Sequence, residues 1–166
     1  MDIQKLNCLS EADARQALYH CLSCHRWVDD MLAGMPFGSV MSLNQRAESG
    51  FGDLNEQEWL EAFDGHPKIG DVNSLKDKYA ATRMMASHEQ SSVQHADDEV
   101  IMRLAHGNRR YEDKFGFIFI VFATGKSAAR MLELLEDRLP NSRDQELKNA
   151  AREQMKITRL RLEKLL

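Results

Sequence analysis

Three polar side chains are of types that could carry out proton transfer and anion binding. His66 lies in the run His66–Gly70 (HPKIG), a rigid turn between predicted helices, and its imidazole can donate or accept a proton near neutral pH. Glu89 closes a predicted helical face, and its carboxylate could orient an imidazole. Arg161 follows Ile157 by four residues on the last predicted helix, where a guanidinium could hold a carboxylate through two parallel hydrogen bonds. Each of these residue types alone is more often structural or solvated than functional.

A cysteine-rich motif offers a different chemistry. The run Cys21-Leu22-Ser23-Cys24-His25 matches the C-x-x-C-H pattern of c-type haem attachment. Haem attachment requires export, and the opening residues MDIQKLNCLS contain neither the basic region nor the apolar stretch of a secretory signal. The motif could supply three zinc ligands, but no fourth ligand is marked. We therefore predict that Cys21 and Cys24 are buried apolar residues within an amphipathic helix, and that no metal is bound.

Two further motifs are incomplete. The run Thr124-Gly125-Lys126-Ser127 resembles the end of a phosphate-binding P-loop, but the glycine required five positions before Gly125 is replaced by Ile120. A turn at the glycine and a helix cap at the serine are predicted instead. His88-Glu89 begins the H-E-x-x-H pattern of zinc proteases, but the second histidine is replaced by Ser92. Neither nucleotide binding nor metalloprotease chemistry is expected.

The sequence predicts mainly helices, because capping residues repeatedly precede apolar side chains spaced three or four residues apart. These helices would position the candidate residues. The first predicted helix runs unbroken from Ser10 to Leu32 and is stopped by Gly34 and Pro36. Further helices are predicted to begin at Asn55, Ser74, Asp97, Ser127 and Ser142, with Asn55–Glu58 and Ser142–Gln145 as capping boxes. Pro67 disfavours helical backbone for the preceding residue, so His66 should lie just outside a helix.

One segment does not follow the helical pattern. Residues 115–123 read FGFIFIVFA, and this aromatic and β-branched composition is typical of a strand. No second strand is evident to pair with it, and unpaired backbone groups in a protein interior are costly. The segment is therefore either a buried helix or an extended stretch whose polar groups find other partners, a ligand among them. We favour the second interpretation and predict an all-α fold with one buried extended segment near 115–124.

Composition narrows the function classes. The chain has 166 residues, of which 43% are hydrophobic and 29% charged, with a net charge of −4. This length suits one compact domain covering residues 1–166. A nucleic-acid-binding domain is usually strongly basic, and no apolar run reaches the roughly 18–20 residues of a membrane span. Three cysteines without a wide framework indicate a reducing, cytoplasmic compartment.

Short motifs along nearly the whole chain resemble one known family. The matching pieces are, in chain order, Leu6-Asn7, Trp27-Val28, Met31, Pro36-Phe37, His66–Gly70, Glu89-Gln90, Asn108, Tyr111, Lys114–Phe117, Gly125, Leu132, Glu146, Ala150, Ile157, Leu160–Leu162 and Leu165. HPKIG, EQ, KFGF and the terminal I-x-x-x-R-L-x-x-L are specific together, although each alone is weak. On these motifs the sequence closely resembles the 2-oxo-4-hydroxy-4-carboxy-5-ureidoimidazoline (OHCU) decarboxylases.

The resemblance implies an activity and a site. It implies an all-helical fold, usually a homodimer, that converts OHCU to (S)-allantoin in urate catabolism without a metal or organic cofactor. The catalytic residues it implies are His66, Glu89 and Arg161. The substrate-contacting positions it implies are Pro67, Ala86, Ser87, Gln90, Ile120, Val121, Phe122, Ala123 and Thr124. Ala86 departs from the family, which often has Ser or Thr there, and Met35 stands where the family favours Arg.

A second function class stays open on the residues alone. Residues 143–166 contain seven Lys or Arg against four Asp or Glu, so the last helix is locally basic. A solvated helix face is the simpler explanation, and a small anionic ligand is the next. The alternative function is a helical module that binds an anion or nucleic acid without turnover, and salt-dependent binding to DNA or RNA would support it.

Overall fold

Helices make up all the regular structure that is described. The computed structural model describes residues 1–68, 70–80 and 91–166, and of residues 91–96 it describes the backbone only. Within these ranges there are nine helices and no strand, as predicted for an all-α fold. The helices are α1 (Ile3–Asn7), α2 (Glu11–Cys21), α3 (His25–Ala33), α4 (Val40–Gly52), α5 (Glu56–Asp64), α6 (Val72–Lys78), α7 (Ser91–Phe115), α8 (Ala128–Arg138) and α9 (Arg143–Leu165).

Three helix starts, those of α2, α5 and α8, follow the predicted capping chemistry. The Ser10 side chain accepts a hydrogen bond from the backbone N–H of Asp13, and Asn55 and Glu58 form a reciprocal capping box. Such bonds satisfy amide groups that have no partner inside the helix. The Ser127 side chain caps α8 after a turn at Gly125, whose φ of +75° lies in the left-handed region. The turn and cap predicted in place of a P-loop are therefore confirmed.

The prediction of one unbroken helix from Ser10 to Leu32 is wrong. The chain leaves the helix after Cys21, and Leu22 and Cys24 have φ values of −154° and −135°. Both side chains are fully buried, so the apolar spacing continues across the break and conceals it. The Cys21 carbonyl, in the last turn of α2, accepts a hydrogen bond from the Thr158 hydroxyl at 3.1 Å. A distant residue thus satisfies a carbonyl that a continuous helix would bond internally.

Two helices begin earlier than predicted. Helix α6 starts at Val72 rather than Ser74, because the Asp71 carboxylate accepts from the Ser74 N–H at 2.8 Å and serves as the cap. Helix α7 starts at Ser91 rather than Asp97. Helix α6 ends at Lys78 with Tyr79 as its C-cap, so the predicted continuation of the helix through Tyr79 is wrong. The rest of the predicted run, to Glu89, lies outside the described residues.

The chain divides into two compact units, which are described separately. The first comprises Met1–His66 with Ala151–Leu166, and the second comprises Pro67–Ala150. In the first unit α3 packs against both α2 and α4, and the buried Trp27 indole donates to the Ala47 carbonyl at 3.0 Å. In the second unit α7 packs against α6 and α8. A single domain over residues 1–166 stays a prediction.

Two glycines allow close packing of helices within the units. A Cβ at Gly107 would lie 2.6 Å from a methyl group of Leu135, so glycine lets α7 approach α8. A Cβ at Gly65 would lie 2.4 Å from the Cβ of Ser23, so the end of α5 lies directly against the α2–α3 break. No helix in the described ranges is both long and apolar enough to cross a membrane.

Candidate active site

His66 lies directly after α5, outside a helix as predicted. Helix α5 ends at Asp64, and the His66 N–H donates to the Phe63 carbonyl at 3.2 Å, which closes a tight turn. The His66 side chain is half-buried, and Pro67, the next residue, is exposed. The imidazole is therefore attached to a turn whose backbone is hydrogen-bonded to the end of α5.

A line of buried polar groups runs from His66 to the end of α2. The Nε2 atom of His66 lies 2.5 Å from Oε1 of Gln154, and the Gln154 amide nitrogen donates to the Thr158 hydroxyl oxygen at 3.1 Å. The hydroxyl in turn donates to the Cys21 carbonyl. Gln154 and Thr158 are 1% and 0% exposed, so these bonds are shielded from water. We call His66, Gln154, Thr158 and the Cys21 carbonyl the His66 relay.

Arg161 lies on the same face of α9 as the relay. It follows Gln154 by seven residues and Thr158 by three, which are the spacings of one helix face. Its Nη1 donates to the His20 carbonyl at 3.3 Å, so Thr158 and Arg161 both bind carbonyls of the last turn of α2. A guanidinium carries five N–H donors, and this contact uses one of them. Arg161 also lines a surface groove together with His20 and Lys164.

The surroundings of the His66 imidazole favour its neutral form. Burial lowers its pKa below the ordinary 6.5, and the nearby positive charge of Arg161 lowers the pKa further. The hydrogen bond with Gln154 acts in the opposite direction and is outweighed. His66 and Arg161 lie in the same unit, and the positive charge of Arg161 acts on the imidazole. Their catalytic roles stay predictions.

The third catalytic residue cannot be placed. Glu89 lies outside the described residues, as do three of the predicted substrate contacts, Ala86, Ser87 and Gln90. Their roles therefore stay predictions.

The remaining predicted contacts, Ile120–Thr124, lie in the second unit, on an irregular stretch between α7 and α8. Ile120 is buried, the next three residues are half-buried and Thr124 is exposed. The stretch is neither strand nor helix, in keeping with the interpretation that its polar groups find other partners. Its carbonyls accept from cationic side chains: Ile120 from Arg138 at 2.7 Å and Phe122 from Lys126 at 2.6 Å.

A buried charged cluster anchors this stretch. The Glu146 carboxylate is fully buried and accepts from the Tyr111 hydroxyl at 2.6 Å and from Nε of Arg138 at 2.6 Å. Its other oxygen accepts from the side-chain amides of Asn141 and Asn149. Arg138 connects this Glu146 cluster to the Ile120 carbonyl. Sequence reasoning did not identify the cluster, although Tyr111 and Glu146 were both among the family-like positions.

The cysteine motif is a packing feature. Cys21 and Cys24 are buried as predicted, and burial raises the pKa of the Cys21 thiol to about 11, so it stays protonated. His25 is exposed and stacks on Tyr19. Among the described residues no group of three His, Cys, Asp or Glu side chains is arranged to hold a metal ion.

We predict that the cysteines are dispensable for chemistry. Cys21→Ala and Cys24→Ala should each cost about 1 kcal/mol of stability through lost packing and leave activity unchanged. EDTA and reductants should likewise have no effect on turnover. Activity that disappears in EDTA and returns with zinc would contradict this prediction.

Known proteins share both the sequence and the fold. The family model described as OHCU decarboxylase matches residues 7–163. The chain is 35% identical over 145 residues to the uric acid degradation bifunctional protein TTL of Arabidopsis thaliana, covering 87% of this chain but only 45% of that protein. It is 32% identical over 130 residues to the 2-oxo-4-hydroxy-4-carboxy-5-ureidoimidazoline decarboxylase of Halalkalicoccus jeotgali, covering 78% of this chain and 71% of that protein.

A solved structure of an OHCU decarboxylase has a similar fold. A crystal structure of an OHCU decarboxylase in the presence of (S)-allantoin superimposes with a TM-score of 0.70 at 34% identity, covering 89% of this chain and 94% of that one. The family model spans residues 7–163, and the fold match covers 89% of the chain. The chain therefore belongs to the OHCU decarboxylase family.

Proposed function

We propose that this protein decarboxylates OHCU to (S)-allantoin, using its own side chains and no cofactor. The observation that carries the proposal is a half-buried imidazole that the His66 relay holds in place, with its pKa lowered by burial and by the positive charge of Arg161. The substrate is an anion whose carbon must gain a proton. An imidazole can transfer that proton, and the guanidinium of Arg161 can bind the anion. Family membership supplies the substrate class.

The substrate itself provides the electron sink. Decarboxylation leaves an electron pair on carbon, and cofactor enzymes use pyridoxal or thiamine to accept it. In OHCU the carbon that carries the carboxylate adjoins a ring C=N, so the pair can form a C=C bond while the ring nitrogen takes up a proton. The resulting enol then loses its hydroxyl proton and gains a proton on the carbon that carries the ureido group. The net reaction consumes one proton and releases CO2.

His66 is proposed to move the proton in the second step. A neutral imidazole can accept the hydroxyl proton and return it to the neighbouring carbon. Because the imidazole stays on one side of the ring, only one face of the carbon is protonated. This accounts for a single enantiomer of the product.

Arg161 is proposed to hold the substrate. The guanidinium fork matches the two oxygens of a carboxylate, or a carbonyl of the ring. Glu89 is proposed to orient His66 or to bind the substrate hydroxyl, and Gln90 with the backbone of 120–124 to bind the ring and ureido amides. Pro67, Ala86 and Ser87 are proposed to line the substrate. These assignments rest on the family resemblance.

The test of the function is substrate consumption. OHCU is generated in situ from urate by the preceding enzymatic steps, and its decay is followed with and without the protein. We expect decay to accelerate in proportion to the protein concentration. Decay that stays at the unaided rate would contradict the proposal, and salt-sensitive binding to RNA in that same preparation would favour the anion-binding alternative.

Arg161→Lys should impair turnover far more than Arg159→Lys. Lysine keeps the charge but loses the fork, so we expect at least a tenfold loss of kcat/KM for Arg161→Lys. Arg159 is exposed and forms an ion pair with Glu48, so its replacement is the matched control and should leave turnover near wild type. Steady-state kinetics on both variants check this, and the reverse ranking would show that the assigned register is wrong.

We further propose that the protein is a cytoplasmic homodimer. Reduced thiols at Cys21 and Cys24 suit a reducing compartment, and a dimer is usual in the family. Sedimentation equilibrium would check the dimer.

A further inference from the structure

The His66 relay has a direction that can be derived from its last member. A backbone carbonyl can only accept hydrogen bonds. At the Cys21 carbonyl the Thr158 hydroxyl must therefore donate its single proton. The hydroxyl oxygen, having used its proton, is left to accept, and the group that faces it 3.1 Å away must be the –NH2 end of the Gln154 amide.

This orientation of the amide dictates the state of the imidazole. With its –NH2 facing Thr158, Gln154 presents Oε1 to His66 Nε2. An amide oxygen only accepts, so Nε2 must carry the proton. The same holds when the ring is protonated, because Nε2 keeps its proton in both states. The nitrogen that gains and loses a proton is therefore Nδ1.

We propose that Gln154, oriented by Thr158, is a positioning residue that keeps the proton on Nε2 of His66 and makes Nδ1 the nitrogen that exchanges protons with the substrate. The catalytic part of this inference rests on the proposed function, whereas the tautomer itself does not. Neither Gln154 nor Thr158 is placed among the substrate contacts. Both act through His66, because a hydrogen bond to one ring nitrogen of a histidine fixes the orientation and the tautomer of the ring.

The location of the relay explains its buried polar residues. Gln154 and Thr158 occupy core positions of α9, where apolar side chains would be the ordinary choice. A buried amide and hydroxyl must be fully hydrogen-bonded to be tolerated. Here each polar group has its partner in a chain that begins at a carbonyl in the last turn of α2 and ends at the imidazole.

The tautomer can be measured without turnover. In nitrogen-15 NMR of histidine-labelled protein, with the His66 signals assigned by their loss in His66→Asn, Nε2 should be pyrrole-like with a protected proton and Nδ1 should be pyridine-like. A pyrrole-like Nδ1 would overturn the proposal. If the tautomer is as stated and OHCU is not consumed, the proposed function fails while the tautomer assignment stands.

Two pairs of variants test the dependence on Gln154 and Thr158. Gln154→Met removes the acceptor, so the protected Nε2 proton should disappear. We expect kcat to fall about 10- to 100-fold and KM to stay nearly unchanged. Gln154→Glu keeps an acceptor towards Nε2 and should retain the protected Nε2 proton, although it removes the donor to Thr158. Thr158→Val keeps the shape but frees the amide to rotate, so it should lower kcat and allow the Nδ1–H tautomer, whereas Thr158→Ser should not. Wild-type kcat and a protected Nε2 proton in both Gln154→Met and Thr158→Val would overturn the proposal.

Discussion

His66→Asn is expected to fold normally and to lose about 10²- to 10⁴-fold in the rate of OHCU decarboxylation, the usual effect of removing a positioned acid or base. Asparagine is polar and fits the turn after α5, but it cannot exchange a proton at neutral pH. His66 lies outside the helices, so the substitution leaves helix α5 intact, and the lost hydrogen bond to Gln154 should cost about 1–3 kcal/mol. Glu89→Gln is expected to reduce the rate similarly, because it removes the charge and keeps the volume.

The product of the His66 variant is more informative than its yield. OHCU is expected to decarboxylate slowly unaided, giving racemic allantoin, so an inactive variant should still accumulate product without optical activity. The measurement is circular dichroism of the product together with the initial rate, and far-ultraviolet circular dichroism checks the fold. Enantiopure allantoin formed at the wild-type rate by folded His66→Asn would show that His66 is not the catalytic residue.

Glu146→Ala is expected to destabilise the protein by about 3–5 kcal/mol, because it leaves the buried cation of Arg138 without its partner. The side chain of Arg138 is 12% exposed and that of Glu146 is fully buried. The control is Glu136→Ala, which breaks the exposed pair of Glu136 with Arg103 and should cost about 1 kcal/mol or less. Urea unfolding midpoints compare the two variants, and equal losses would contradict a structural role of the Glu146 cluster.

The Glu146 cluster should stabilise the protein less at low pH. Burial alone would raise the pKa of Glu146, but hydrogen bonds from Asn141, Tyr111, Asn149 and Arg138 outweigh it and hold the pKa below the ordinary 4.5. A carboxyl with a lowered pKa in the folded state stabilises the protein above its unfolded-state pKa. That stability is lost as pH falls through the folded-state value. The stability difference between wild type and Glu146→Gln should therefore shrink below about pH 4.5.

Local signals were sufficient for four of the nine described helix starts, those that follow Ser10, Asn55, Ser127 and Ser142. Ser10, Asn55 and Ser127 were predicted as caps because a capping side-chain oxygen accepts a hydrogen bond from the backbone N–H three residues later. Both residues of such a pair can be read from the sequence. The break after Cys21 was missed for the opposite reason. The Cys21 carbonyl beside the break binds Thr158, 137 residues away, and the apolar spacing around Leu22 gives no sign of the break.

The site was predicted unevenly. His66 and Arg161 were identified from the family motifs, but Gln154 and Thr158 were not, because an amide and a hydroxyl in a basic helix look like solvated residues. The signal that could have found them is their spacing: polar residues at 154, 158 and 161 share one face of α9 with the buried Ala151. The partners of the stretch 116–124 were also missed, since Arg138 and Lys126 reach its carbonyls through long side chains that carry no periodic pattern.

The most direct test of the proposed activity is the circular dichroism of allantoin formed from urate-derived OHCU in the presence of the wild-type protein. We expect a signal with the sign of authentic (S)-allantoin that grows as fast as the substrate is consumed, because His66 protonates one face of the carbon. Allantoin that accumulates at the unaided rate and shows no optical activity would contradict both the decarboxylase activity and the role of His66.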